Sequence, residues 1–537
     1  MGIKNFYHGF KKKMGNAIEK SYDMDHELLV IELNGLFYSS CKKIFKFYEL
    51  SHVVEIRNRT NKIHLKLFEE ITLRLQKIIK KYSPRKTILL VVDGIAGMMK
   101  NMEQRQRRYK NALENKYSLF DLNNFSPGTK LLNHLTKYID WYLRLKMSTD
   151  SEFSNKKIYF SNEKVPGEGE FKICQFLKKY CTKNTKILIY NCDSDLILLS
   201  LTMDFNITIV RNSSIYGEEF VNIEKCRKLL LSKIQWEPNV NKLIFVDLVI
   251  LFFFLGNDYS PSIPSIHKFD VLFDEILPIY KDFGKYLSIL DMKTQTVKLN
   301  YENFFSFSRL FKDKELTWLK MKNTEQNSYF PDPVFSNINH NGQTIETLKK
   351  PYYEKYFTNQ TKEKIVSYYF YNLENILNMF FFHKMNWCIF FPFYHSPFLH
   401  DLDVKPKFDV KSFHDIYPMD CCFNLLTILP PQSKNLLPVP LQNTYSELKD
   451  FFPTFIEIDL TGKKKIWEGI VKLPFIKIEN FTTYFKKKRS EFSPRETKRN
   501  AIGKSFVYSF DPIQRADFIS YYGNIEECPI VCNLIDL

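Results

Sequence analysis

The feature that most constrains this chain is a repeated grammar in its first half. An apolar, β-branched run of strand length ends at an acidic residue, and a helical pattern follows. "ELLVIELNG" ends at Glu32, "KTILLVVDG" at Asp93, and "TKILIYNCDSD" at Asp193 and Asp195. "KKIYFSNEKVPGEGE" leads into Glu168 and Glu170, and "FNITIVRN" reads as a further strand. Buried strands alternating with helices predict an α/β fold with a mostly parallel central sheet flanked by helices. Ligands in such sheets bind beyond the carboxyl ends of the strands, where these acids lie. "FVDLVILFFFLGNDYSP" then reads as a buried helix stopped by Gly256, with Asp258 just beyond.

The spacing thus predicts seven convergent carboxylates: Glu32, Asp93, Glu168, Glu170, Asp193, Asp195 and Asp258. Like charges gathered together raise one another's pKa unless cations sit among them. Oxygen-only ligands select hard ions, Mg²⁺ or Mn²⁺. Two such ions about 3.5–4 Å apart can clamp the attacking and leaving oxygens of a phosphodiester. Any one acid read alone fits a cap or a turn as well as a ligand; the whole set favours chemistry.

After Asp93 a helix is expected from near Met98. Lys100, Gln104, Arg107 and Arg108 fall within an arc of about 100° on its surface, beside the acids. That face suits a phosphate, which arginine binds through paired hydrogen bonds. A solvated basic face is the plainer reading of the same residues.

The net charge of +17, from 77 basic and 60 acidic residues, points to a polyanionic partner, nucleic acid ahead of an anionic membrane. The ten cysteines form no CxxC pair, so neither a zinc site nor a disulfide framework is expected. The N-terminal stretch has no signal-peptide core, and the longest apolar run is too short to span a bilayer and contains Asp247. The expectation is a protein without membrane attachment, intracellular and cytoplasmic. "AIGKS" fails as a P-loop because Lys498 takes the first glycine's place, and His395 in "FPFYHSPF" reads as part of an aromatic-rich turn.

Together these segments resemble the XRN family of 5′→3′ exoribonucleases, within the wider flap-endonuclease superfamily. "VIELNG", "VVDGIAGMMKNMEQRQRR", "VPGEGEFKI", "NCDSDLILLSL" and "FFFLGNDYSPSIPS" are similar to the family's first conserved region. "WCIFFPFYHSPFLHDL", "IDLTGKKKIWEGIVKLPFI" and "SPRETKRNAIG" are similar to its second. The resemblance implies a flap-endonuclease/PIN-like nuclease core over 1–279, a helical connecting region over 280–365, and the second conserved region over 366–537, an α+β unit packed on the first. It describes a compact member lacking the large C-terminal modules.

The resemblance also implies an activity: Mg²⁺-dependent degradation of single-stranded RNA with a 5′ monophosphate to mononucleotides. The seven acids become ligands of two ions, and Lys100, Gln104, Arg107 and Arg108 the 5′-phosphate pocket. Tyr38, standing where the family has a histidine, and Trp467 become base-stacking residues. Glu32 replaces an aspartate, setting its carboxylate about 1.5 Å further out, and Phe171 replaces a histidine. The alternatives are a flap-type, structure-specific DNA nuclease and a catalytically weak RNA-binding protein on the same scaffold.

Overall fold

The computed structural model describes residues 2–3, 6–50, 60–114, 120–190, 195–213, 217–234, 242–325, 330–336, 338, 343–407, 418–453 and 455–537. Its strands are β1 (Ile18–Glu19), β2 (Leu28–Glu32), β3 (Thr87–Val91), β4 (Lys157–Ser161), β5 (Lys186–Tyr190), β6 (Asn206–Ser213), β7 (Gly217–Asn222), β8 (Ser288–Asp291), β9 (Thr296–Leu299), β10 (Glu457–Asp459), β11 (Ile470–Lys472), β12 (Ser505–Phe510), β13 (Ala516–Phe518), β14 (Ile525–Cys528) and β15 (Ile530–Ile535). Nine form one sheet in the order β1-β7-β6-β5-β2-β3-β4-β12-β15.

The five central strands, β6-β5-β2-β3-β4, are parallel. Both flanks are antiparallel: β7 and β1 on one side, β12 and β15 on the other. The central runs are apolar throughout because both faces are covered. Leu28, Val30, Leu89 and Val91 enter one buried cluster, while Leu29, Ile31, Ile88 and Leu90 enter another. The C-terminal region does more than pack against the sheet: β12 hydrogen-bonds directly to β4, with Tyr508 opposite Ile158. The ribbon β8–β9 lies in the stretch read as a connecting region with helices.

The helix Leu243–Phe253 is buried nearly all round, so its one acid needs partners. Asp247, fully buried, accepts from Tyr280 Oη at 2.6 Å, from the Leu287 N–H at 2.7 Å and from Ser288 Oγ. Burial pushes its pKa up to about 6, and the hydrogen bonds act against a larger rise. A carboxyl whose folded pKa is raised favours the native state at low pH and loses that contribution as pH rises through the folded value. From about 4 to about 6 the loss amounts to roughly 3 kcal/mol. Asp247→Asn is therefore expected to gain stability relative to the unaltered protein across that window, read by urea unfolding at a series of pH values. A pH-independent difference would show that Asp247 does not titrate there.

Candidate functional site

Beyond the carboxyl ends of β2, β3 and β4, the chain zips two loops together. Gly94 N–H donates to Gly167 O at 2.9 Å, and Gly167 N–H donates to Ile95 O at 2.8 Å. The ammonium of Lys172, fully buried, ties the same strand ends by donating to Val92 O at 2.8 Å and to Asn162 O at 2.9 Å. Burial lowers its pKa to about 7, against the pull of Asp93 and Glu163. This clamp brings the loop carrying Asp93 beside the loop carrying Glu168.

Glu32 is the last residue of β2, and Asp93 lies just past β3. Asn34 Oδ1 accepts the Asp93 N–H at 2.8 Å, which fixes the Asp93 backbone. Glu168 sits at the N-cap of the helix Gly169–Tyr180, with Glu170 in its first turn, where negative charge opposes the helix dipole. The glycine between the two glutamates leaves little room for a side chain. Gly169 N–H donates to Asp93 Oδ1 at 2.7 Å, and a Cβ there would lie 3.1 Å from Glu32 Cγ. Oxygens of Glu32, Asp93 and Glu170 all fall within 4.8 Å of one another. An all-oxygen donor set at that separation fits a hard divalent cation.

The other acids form a second group. Lys100, on the helix Met98–Glu114, pairs with Glu168 Oε2 at 2.7 Å and with Asp258 Oδ2 at 2.6 Å. Burial works against the lysine's charge, but Asp258 and then Glu168 hold its pKa well above the usual value. Burial raises the pKa of Glu168, with Lys100 opposing. Tyr259 completes the group by donating to Glu168 Oε1 at 3.0 Å. Asp195 opens the helix Asp195–Leu201. Asp193 lies outside the described residues, as does the side chain of Trp467.

Gly2 reaches into the same place. Its N–H donates to Asp258 Oδ1 at 2.9 Å, its φ is +72°, and a Cβ there would lie 1.8 Å from Asp195 Oδ1. Gly2→Ala is expected to displace Asp195 and lower turnover by roughly tenfold or more, at about 1.4 kcal/mol per tenfold. Because φ is positive at Gly2, alanine is strained there, and a modest fall in melting temperature should accompany the loss of turnover. Unchanged single-turnover cleavage by Gly2→Ala would remove this positioning role.

The expected basic face divides in two. Lys100 pairs with the acids, whereas Gln104 and Arg108 bond to each other. Arg108 donates to Gln104 Oε1 and Asn123 Oδ1, each at 3.1 Å, and to Ser126 Oγ. Burial lowers the Arg108 pKa to about 10, with Tyr38 opposing and Arg107 reinforcing the fall. Arg107 pairs with Glu103 at 3.4 Å, and the charges of Glu103, Tyr38 and Asp258 together outweigh its burial. Tyr38, on the helix Asn34–Leu50 and 38 % exposed, packs edge-on to Phe125 and lies within the electrostatic reach of Arg108, Arg107, Asp93 and Glu32.

The helix itself is clamped from the C-terminal side. Arg105, 1 % exposed, donates to Pro474 O at 2.6 Å and to Phe451 O. Asn424 Nδ2 donates to Asn101 Oδ1 at 3.2 Å, and Met98 N–H to Trp387 O at 2.9 Å.

Clustered carboxylates beside a basic helix are thus assembled on an α/β sheet. The sequence matches the family description "XRN 5'-3' exonuclease N-terminus" over residues 1–213 and "Xrn1 helical domain" over 345–529. The chain belongs to the XRN 5′-3′ exonuclease family. It is 23% identical to 5'-3' exoribonuclease 1 of Homo sapiens, over 95% of this chain and 35% of that protein. It is also 23% identical to 5'-3' exoribonuclease 1 of Saccharomyces cerevisiae, over 83% of this chain and 41% of that one. The chain thus spans well under half the length of these two relatives. Among solved structures, the catalytic core of Rad2 in complex with DNA substrate aligns at 15% identity and a TM-score of 0.34, covering 63% of this chain and 87% of that one; the likeness is too distant to argue from. No helix among the described residues is long and apolar enough to cross a membrane.

Proposed function

We propose that the protein is a divalent-metal-dependent 5′→3′ exoribonuclease that degrades single-stranded RNA carrying a 5′ monophosphate and releases mononucleotides. The observation that carries this reading is that Tyr38 lies within electrostatic reach both of Glu32 and Asp93, two of the oxygen trio, and of Arg107 and Arg108. Names of the relatives agree with it.

Mg²⁺, with Mn²⁺ as a substitute, would be held by Glu32, Asp93 and Glu170, with Glu168, Asp193, Asp195 and Asp258 completing a second position. Bound there, the cations supply the Lewis-acid charge that phosphodiester hydrolysis needs. Arg107, Arg108 and Gln104 hold the terminal phosphate, and the two guanidinium groups offer paired donors in fixed geometry. Tyr38 offers a ring to the first base. Lys100 keeps Glu168 and Asp258 oriented and offsets their mutual repulsion.

The test is digestion of RNAs of one sequence with 5′-monophosphate, hydroxyl or triphosphate ends, together with matched single-stranded and flapped DNA, in Mg²⁺. Preferred release of mononucleotides from the monophosphorylated RNA is expected. Cutting at the base of a DNA flap would instead favour the structure-specific nuclease, and tight RNA binding without turnover the binding protein.

A further inference from the structure

A cleft of about 1070 Å³ reaches the acidic centre at Asp258. It begins at Gly2 and Asp258, and its far wall carries Lys322, His395 and Lys463. Along the helix Met98–Glu114 it is bounded by Glu103, Gln106, Lys110 and Glu114. That stripe lies roughly 135° round the helix from Gln104 and Arg108. Arg107 stands at the seam between the two faces, within electrostatic reach of both Tyr38 and Asp258. Among the described residues, Tyr38, Gln104 and Arg108 are outside the walls of this cleft.

Two features of the walls suit an anionic ligand. Next to Asp258, Asn257 Oδ1 accepts from the Tyr259 and Ser260 N–H groups at 2.8 Å each, which fixes the amide. Its Nδ2 is buried with no hydrogen-bond partner. A buried donor left unmade is costly, and a phosphate or sugar oxygen in the cleft would satisfy it.

At the far end, Lys322 donates to Pro264 O at 2.9 Å with a second lysine, Lys463, close by. Burial first, then the repulsion of Lys463, push the Lys322 pKa down to about 8. Asp332 in the same walls opposes the fall, and a phosphate between the two lysines would add to its effect. Tyr394 and Phe475, stacked at 4.8 Å, give the same wall an aromatic surface.

We propose that this cleft is the departure path of the cleaved nucleotide, with Lys322, Lys463 and Asn257 forming a site for a nucleoside 5′-monophosphate. The inference rests on the exonuclease reading above. An enzyme that grips the new 5′ end on one side of its acids must clear the previous nucleotide by another route. Here the gripping residues and the cleft lie on different faces of one helix, joined at Arg107.

The test uses adenosine 5′-monophosphate as probe and the protein saturated with 5′-phosphorylated RNA whose first linkage resists cleavage. The RNA fills the gripping side, so nucleotide retained in equilibrium dialysis reports the other site. One equivalent should be retained. Lys322→Gln with Lys463→Gln should weaken that retention about tenfold or more, as expected for lost charge-assisted contacts, with RNA affinity within about twofold. If the double variant unfolds, Lys322→Gln alone, whose amide can still reach Pro264 O, is read in the same way.

Three results would overturn the proposal: no retention by the RNA-loaded protein, equal retention by the variants, or a comparable loss of RNA affinity, which would place the uncut strand here. Binding needs no turnover. A protein that retains the nucleotide yet degrades no RNA therefore removes the exoribonuclease reading and leaves the nucleotide site standing.

Discussion

Asp93→Asn is expected to lower the first cleavage by roughly a thousandfold, equivalent to about 4 kcal/mol of lost transition-state stabilisation. The asparagine keeps the shape of the side chain and an oxygen that can still accept the Gly169 N–H, now bonded at 2.7 Å. What disappears is one negative charge from the trio with Glu32 and Glu170. The fold should therefore survive, and without added metal the variant should melt at the same temperature or higher, because a like-charge repulsion is gone. RNA binding should stay within about twofold, since the side chains proposed to grip the phosphate are untouched. Mn²⁺ affinity, followed by electron paramagnetic resonance, should fall in parallel with activity. Cleavage at the unaltered rate, or lost activity with full Mn²⁺ affinity, would remove Asp93 from the ligand set.

The second large effect concerns the 5′ end. Arg107→Ala with Arg108→Ala should erase the preference for monophosphate over hydroxyl and triphosphate ends. Each lost charge-assisted contact is worth about 1.5–3 kcal/mol, one to two orders of magnitude in rate or affinity. The depressed pKa of Arg108 gives this a physical basis: its charge is disfavoured by burial and by Arg107, and a phosphate dianion would offset both. Competition among the three RNAs measures the effect. If the unaltered protein degrades all three equally, or cuts a circular RNA as fast as a linear one, no end-reading pocket exists.

Much of this centre was legible because parallel sheets put functional residues where strands end. Glu32, Asp93, Glu168, Glu170 and Asp195 could be found from apolar runs and the residues after them. Periodicity gives an angle round a helix but not a side chain's partner. Lys100 shares an arc with Gln104 and Arg108 yet turns to Glu168 and Asp258. Arg105, set about 140° from Lys100, reads as one more charge in a basic run, and its burial depends on carbonyls more than 340 residues away, at Phe451 and Pro474. Lys172 follows the paired glutamates as an ordinary helix lysine, and only the two carbonyls it meets make it a clamp. Gly2 carries no signal beyond being a glycine. Tyr259 could have been suspected from its place beside Asp258.

The pairing of β12 with β4 has a consequence for how the chain acquires its shape. Tyr508 meets Ile158 across a sequence separation of roughly 350 residues, and pairings so distant form slowly. During synthesis β4 can join β3 early, but its outer edge stays open until the segment carrying Ser505–Phe510 has emerged. An open strand edge is a template for pairing with other chains. Folding yield should therefore be most sensitive to substitutions along β12 and to chain concentration, with the clustered acids past β3 and β4 inheriting their alignment from the last strands to arrive.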